Sequence, residues 1–112
     1  MIKMSNAIDM LLFNPPYVVT TSDEVTLSRM DNSLLHLAWA GGLKGREVTD
    51  RVLERLDGLL SQRSLFYLVV IQENNPDEIS QILSLQGFQG EIIASRKVCN
   101  EKLHVMRFCR GI

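Results

Sequence analysis

This chain is predicted to be an α/β protein, and three features of its 112 residues point there. Two short, nearly continuous apolar runs, Ile8 to Phe13 and Leu65 to Ile71, read as parallel strands covered on both faces. Segments with helical apolar spacing occupy Arg46 to Leu60 and the stretch that follows Asn75. An alternating segment near the C-terminus supplies one half of a hairpin. The expected order is strand, helix, strand, helix, hairpin: two parallel strands, two helices and a terminal antiparallel pair, within one unit spanning residues 1–112.

Each element has a local cause. In Ile8-Asp9-Met10-Leu11-Leu12-Phe13 only Asp9 is polar, as suits a strand inside a sheet. Residues 18–45 then form a long connection, of a length that is uncommon inside a compact domain unless it is functional or flexible. Its first part, Thr20 to Met30, is polar; its second, Leu34 to Ala40, is apolar and suits a short helix or lid with Trp39 packed. From Arg46 to Leu60, Val48, Val52, Leu53, Leu56, Leu59 and Leu60 share one stripe, and Glu47 and Arg51 are spaced i,i+4 on the wet side. Ser64 to Gln72 carries the second apolar, β-rich run. The next helix is punctuated at both ends. Asn75 can cap it, Pro76 fits its first position, Asp77 and Glu78 favour the positive end of its dipole, and Gly87 suits a left-handed stop. Ile79, Ile82 and Leu83 face inward. Glu91 to Arg96 and Leu103 to Phe108 form the hairpin, with Leu103, Val105 and Arg107 opposing His104, Met106 and Phe108.

Composition narrows the function classes. A content of 46% hydrophobic and 22% charged residues is ordinary for a globular protein, and a net charge of −1 gives no basic footprint for nucleic acid, so unaided nucleic-acid binding is disfavoured. The longest apolar run, Leu65 to Ile71, is too short to span a bilayer, and the N-terminus carries no long apolar stretch. No membrane association is expected, and the cytoplasm, or the nucleus, is the expected compartment. Cys99 and Cys109 form no Cys-x-x-Cys pattern and are expected to be reduced. His36 and His104 are too isolated for metal-ligand spacing, so no metal site is expected.

The residues that carry chemistry are Asn14-Pro15-Pro16-Tyr17, at the exit of the first apolar run. In open α/β sheets ligands bind at the carboxyl ends of strands. Two consecutive prolines fix φ, remove two backbone donors and bias Asn14 toward an extended conformation. The Asn14 side-chain oxygen and the Pro15 carbonyl then offer two acceptors, and Tyr17 offers a flat ring. Together they suit a planar NH2 group whose lone pair is delocalised, such as a carboxamide or the exocyclic amine of a base. Orientation of such a weak nucleophile contributes roughly 7–11 kcal/mol toward a barrier.

The stretch Leu11-Leu12-Phe13-Asn14-Pro15-Pro16-Tyr17-Val18-Val19, with Trp39-Ala40-Gly41-Gly42-Leu43-Lys44-Gly45-Arg46-Glu47-Val48 downstream, resembles the HemK-type S-adenosylmethionine-dependent methyltransferases. It is most similar to the eukaryotic branch that methylates the glutamine of the Gly-Gly-Gln motif in a translation release factor. That branch has also been described as acting on histone lysine and DNA adenine. The resemblance runs from about Ile8 to Phe108 and covers the C-terminal half of the family's Rossmann-like class I domain, strands four to seven of a seven-stranded sheet. It implies that Asn14 and Pro15 are catalytic, that Pro16 and Tyr17 complete the acceptor pocket, and that Trp39, Gly41 and Gly42 lie beside the acceptor peptide. S-adenosylmethionine is the implied cofactor, contacted here by Asn14. The family's glycine-rich turn and acidic donor-binding residues precede this strand, and the 13 residues before Asn14 contain no glycine, so the main donor site is expected to be absent. The implied partners are the release factor and a small zinc-binding activator subunit, whose contact lies mainly on the unmatched half. A catalytically inactive interaction fragment is the alternative reading.

Other candidates have structural explanations. Asp9 suits a hydrogen-bonded structural carboxylate, and Gly41-Gly42-Leu43-Lys44-Gly45 lacks the Walker spacing. Lys44 and Arg46 suit solvated surface positions or an acidic partner. In Glu73-Asn74-Asn75, capping by Asn75 is the simple explanation, although the three residues fall at the sheet edge expected for a site. Because the Ile8 to Phe13 strand would sit in mid-sheet in the family, its edge is expected to be open and to favour self-association.

Overall fold

The computed structural model describes residues 6–16 and 45–112. The elements are β1 (Ile8–Phe13), α1 (Glu47–Leu59), β2 (Leu60–Ile71), a 3-10 turn (Gln72–Asn74), α2 (Pro76–Ser84), β3 (Gln89–Val98) and β4 (Glu101–Arg110). They build one four-stranded sheet in the order β1-β2-β4-β3. β1 runs parallel to β2, with Leu11 opposite Phe66 and Phe13 opposite Leu68. β4 inserts antiparallel between β2 and β3. The predicted α/β class, with two parallel strands, two helices and a terminal hairpin, is the architecture found. The connection expected at residues 18–45 lies outside the described residues apart from Gly45.

The core sits on one face of the sheet. Leu53 and Leu56 of α1 and Ile79 and Leu83 of α2 pack with Phe66, Leu68 and Val70 of β2, Met106 and Phe108 of β4, and Phe88. The rings of Phe66 and Phe108 are stacked across β2 and β4 with centroids 6.0 Å apart. Ten of these side chains are of a size that contributes about 1.5–3 kcal/mol each when fully buried. His104 shares this face, as the alternation in β4 requires.

Three expectations need correction. The apolar runs read as strands covered on two faces, although the unmatched half of the family's domain implied an exposed apolar patch; among the described residues only the helix face is covered, with Met10 52% and Leu12 71% exposed on the other. An apolar run does not distinguish a strand buried on both faces from one whose second face is open. Second, β2 starts at Leu60 rather than near Ser64, with no loop after α1. The Leu60 N–H closes the helix on the Leu56 carbonyl, and its own backbone is already extended at φ −90°, ψ 146°. Third, Arg46 is not solvated surface. It is 3% exposed and its guanidinium reaches Asp50, Glu78 and the Asn74 carbonyl.

The ends of α2 behave as their residues require. Asn75 adopts φ 58° and its side chain accepts from the Glu78 N–H at 3.3 Å. At the other end, Gly87 at φ 88° lets its N–H reach the Ser84 carbonyl while the Phe88 N–H reaches the Leu83 carbonyl. That pair of bonds is the Schellman stop, and it delivers Phe88 into the core.

Candidate functional site

Because β1 and β2 are parallel, their carboxyl ends share one edge of the sheet. Asn14, Pro15 and Pro16 leave β1 there, one position beyond the Phe13–Leu68 pair. Asn14 is exposed, Pro15 is buried and Pro16 is half-buried. The buried pyrrolidine anchors the corner, and the fixed φ of both prolines limits where the Asn14 side chain can point. Among the described residues none holds the Asn14 amide by a hydrogen bond. Tyr17, Trp39, Gly41 and Gly42 lie outside the described residues, as do His36 and Lys44.

A groove of about 260 Å³ opens beside Asn14 on the uncovered face, lined by Leu12, Phe13, Asn14, Tyr67, Val69 and Val105. Its walls come from three strands: Leu12 pairs with Tyr67, and Val69 with Val105. Tyr67, Val69 and Val105 were not singled out from the sequence. Their signal was strand parity, which becomes useful only once the register is known. The groove is flanked by Arg107, which pairs with Glu91 and lies opposite Tyr67. The Glu91 carboxylate and then the Tyr67 hydroxyl hold the Arg107 guanidinium above its ordinary value, so it stays charged.

The same edge carries the 3-10 turn after β2. Asn74 is buried, and its side-chain oxygen accepts from the Ile71 N–H at 2.8 Å. Arg46 bonds to the Asn74 carbonyl and to Glu78, which fastens the start of α1 to the start of α2. His104, 4% exposed, accepts at Nδ1 from the Ser95 hydroxyl at 2.7 Å and donates from Nε2 to Gln72 Oε1 at 2.9 Å. The Gln72 oxygen can only accept, which selects that tautomer. Both ring nitrogens are committed, so His104 is a strut between β3, β4 and the turn. Among the described residues no group of three or more His, Cys, Asp or Glu could hold a metal ion, and no helix is long and apolar enough to cross a membrane. Asp9 lies at the opposite end of β1 and accepts from the Ser61 hydroxyl at 2.7 Å. Cys99 and Cys109 are both free thiols.

No protein-family model matches the chain. Individual proteins do. It is 45% identical to the human methyltransferase HEMK2 over 97% of this chain and 49% of that protein. It is 37% identical to the eRF1 methyltransferase catalytic subunit mtq2 of Schizosaccharomyces pombe, over 97% of this chain and 46% of that protein. The fold is similar to a solved Mtq2–Trm112 complex of E. cuniculi, described as responsible for methylation of the eRF1 termination factor. That match has a TM-score of 0.71 at 28% identity and covers 94% of this chain and 53% of the other. The chain spans about half the length of the curated relatives it matches. In sequence and in fold it corresponds to about half the length of a HemK-type methyltransferase, in the eukaryotic branch that includes HEMK2 and Mtq2.

Proposed function

We propose that the Asn14-Pro15-Pro16 corner is the acceptor clamp of an N-methyltransferase, and that its acceptor is the glutamine side-chain amide of a translation termination factor. The observation that supports this reading is the position of the corner: a proline-fixed amide at the carboxyl end of β1, beside an open groove, in a sheet similar to that of Mtq2. The Asn14 side-chain oxygen and the Pro15 carbonyl each take one N–H of the acceptor NH2. The nitrogen is thereby held with its remaining direction free.

S-adenosylmethionine, when bound, supplies a methyl group made electrophilic by a sulfonium sulfur. The described residues offer such a donor the Asn14 corner alone; they include no glycine-rich turn after a strand. Asn14 therefore has two tasks in this reading, toward the acceptor and along the side from which the methyl arrives. The chain's own part is to hold the two acceptor N–H groups at the Asn14 oxygen and the Pro15 carbonyl; the proton that the nitrogen would give up on methylation passes from there to solvent. The two acceptor bonds are worth little for ground-state affinity, about 0.5–1.5 kcal/mol each. Their value lies in orientation. A small activator subunit of the Trm112 kind is the partner this reading implies.

The test is methyl transfer to a Gly-Gly-Gln protein, run beside an adenine oligonucleotide and a histone. Where the donor binds, transfer to the glutamine is expected, and Asn14→Ala should lower it by on the order of 10²–10³-fold, as for loss of one preorganised transition-state contact. Asn14 is exposed, so the melting temperature should not move. Saturable donor binding without transfer to any acceptor would overturn the acceptor assignment. Absence of donor binding in calorimetric titration would favour an interaction fragment that binds the termination factor without methylating it.

A further inference from the structure

β3 ends the sheet, and all ten of its residues, Gln89–Val98, are exposed. Its outer row of backbone N–H and C=O groups has no strand beside it among the described residues. A long open edge is a template for another strand. Ile92 and Ile93 lie near its middle and are 49% and 44% exposed. A bulge normally spoils such an edge, and β3 carries one between Ile92 and Ala94. Here it has the reverse effect. Glu91 lies opposite Arg107 and Arg96 opposite Leu103. Those two β4 positions are an even number of residues apart, so Glu91 and Arg96 project from the same face although five residues separate them. Without the bulge they would point to opposite faces.

The geometry points to a second copy of this chain as the occupant of the β3 edge, paired antiparallel about a two-fold axis beside Ile93 and Ala94. In that register Glu91 of each copy faces Arg96 of the other, and Ile92 faces Ser95. On either side of the bulged Ile93 and its neighbour Ala94, the opposed pairs fall on a common face, as antiparallel pairing requires. Sliding the register by one residue sets Glu91 against Lys97, which lies opposite Lys102 of β4 and so on the other face. The charge pattern therefore selects one register, and the two-fold operation uses it twice. Glu91 also serves Arg107 within its own chain, so in the pair it would bridge two guanidinium groups. The inference is independent of the methyl-transfer reading, because β3 lies at the far edge of the sheet from β1.

Sedimentation equilibrium up to about 100 μM tests it, a range suited to an interface of one strand pair. The wild-type chain should show a reversible monomer–dimer equilibrium. Glu91→Lys and Arg96→Glu each place two like-charged pairs across the axis and should weaken dimerisation at least about tenfold. An equimolar mixture of the two variants should recover a heterodimer, since each lysine then meets a glutamate and each arginine a glutamate. That recovery also shows that both variants are folded. A wild-type monomer throughout the range, equal dimerisation by both single variants, or no recovery on mixing would each overturn the inference; the second would place the contact on β1 or on the open face.

Discussion

Arg110 donates from one guanidinium terminus to the Leu60 carbonyl at 2.8 Å and the Ser61 carbonyl at 3.1 Å, and from the other to Asp57 at 2.5 Å. Its guanidinium carbon lies 4.6 Å from the centre of the Phe88 ring. The side chain thus ties the last strand to the junction where α1 becomes β2. A lysine carries the charge but neither the fork nor the stacking plane. Arg110→Lys is expected to cost about 1–3 kcal/mol in urea denaturation, mostly from losing the fork that joins the Leu60 and Ser61 carbonyls, of which Leu60 then keeps the Asn6 side-chain amide at 3.0 Å. Asp57 is largely exposed and adds little. Arg107, three positions earlier in the same strand, provides the contrast: its pair with Glu91 is open to solvent, and Arg107→Ala should leave the urea midpoint in place. Composition does not separate these two arginines. Their difference comes from strand parity, since Arg110 faces the helices and Arg107 the open face.

At the level of elements, what could be read from sequence was whatever is written in neighbouring residues. Asn75-Pro76-Asp77-Glu78 and Gly87 bracket α2 because capping, φ restriction and the helix dipole act over a single turn. The α1–β2 junction escaped, since Leu60 fits both the helical stripe and the strand, and pairing with Ile8 across the sheet decides between them. Arg46 escaped for a similar reason: its partner Glu78 is 32 residues away. The Asn14 corner was legible because its conformation is set by the two prolines after it, whereas the groove wall of Tyr67, Val69 and Val105 depends on the register of three strands. Asn75 allows the local account to be tested in two parts. It supplies both a side-chain acceptor and a left-handed φ of 58°. Asn75→Gly keeps the backbone freedom and should cost only a few tenths of a kcal/mol, while Asn75→Ala loses both and should cost about 1–2 kcal/mol. Equal losses in thermal unfolding would mean that the acceptor alone matters.

For the molecule as a whole the main fact is that the sheet is covered on one side only among the described residues. The stability of this chain should therefore alternate along its central strands. Leu68 is fully buried in the core, and Leu68→Ala should cost about 2–5 kcal/mol, the usual range for a leucine whose cavity cannot collapse. Leu12, 71% exposed on the open face, has little to lose, and Leu12→Ala should change unfolding by less than about 0.5 kcal/mol. The open face has a second consequence that stability does not report. Met10, Leu12, Tyr67, Val69 and Val105 present a continuous apolar surface beside Asn14, of the kind that marks an interaction site rather than a scatter of exposed residues. A hydrophobic dye should bind there while the far-ultraviolet spectrum stays native, and Leu12→Gln should reduce that binding without lowering the melting temperature. If dye binding and the melt fell together, the dye would be reporting loosened core packing and not the open face.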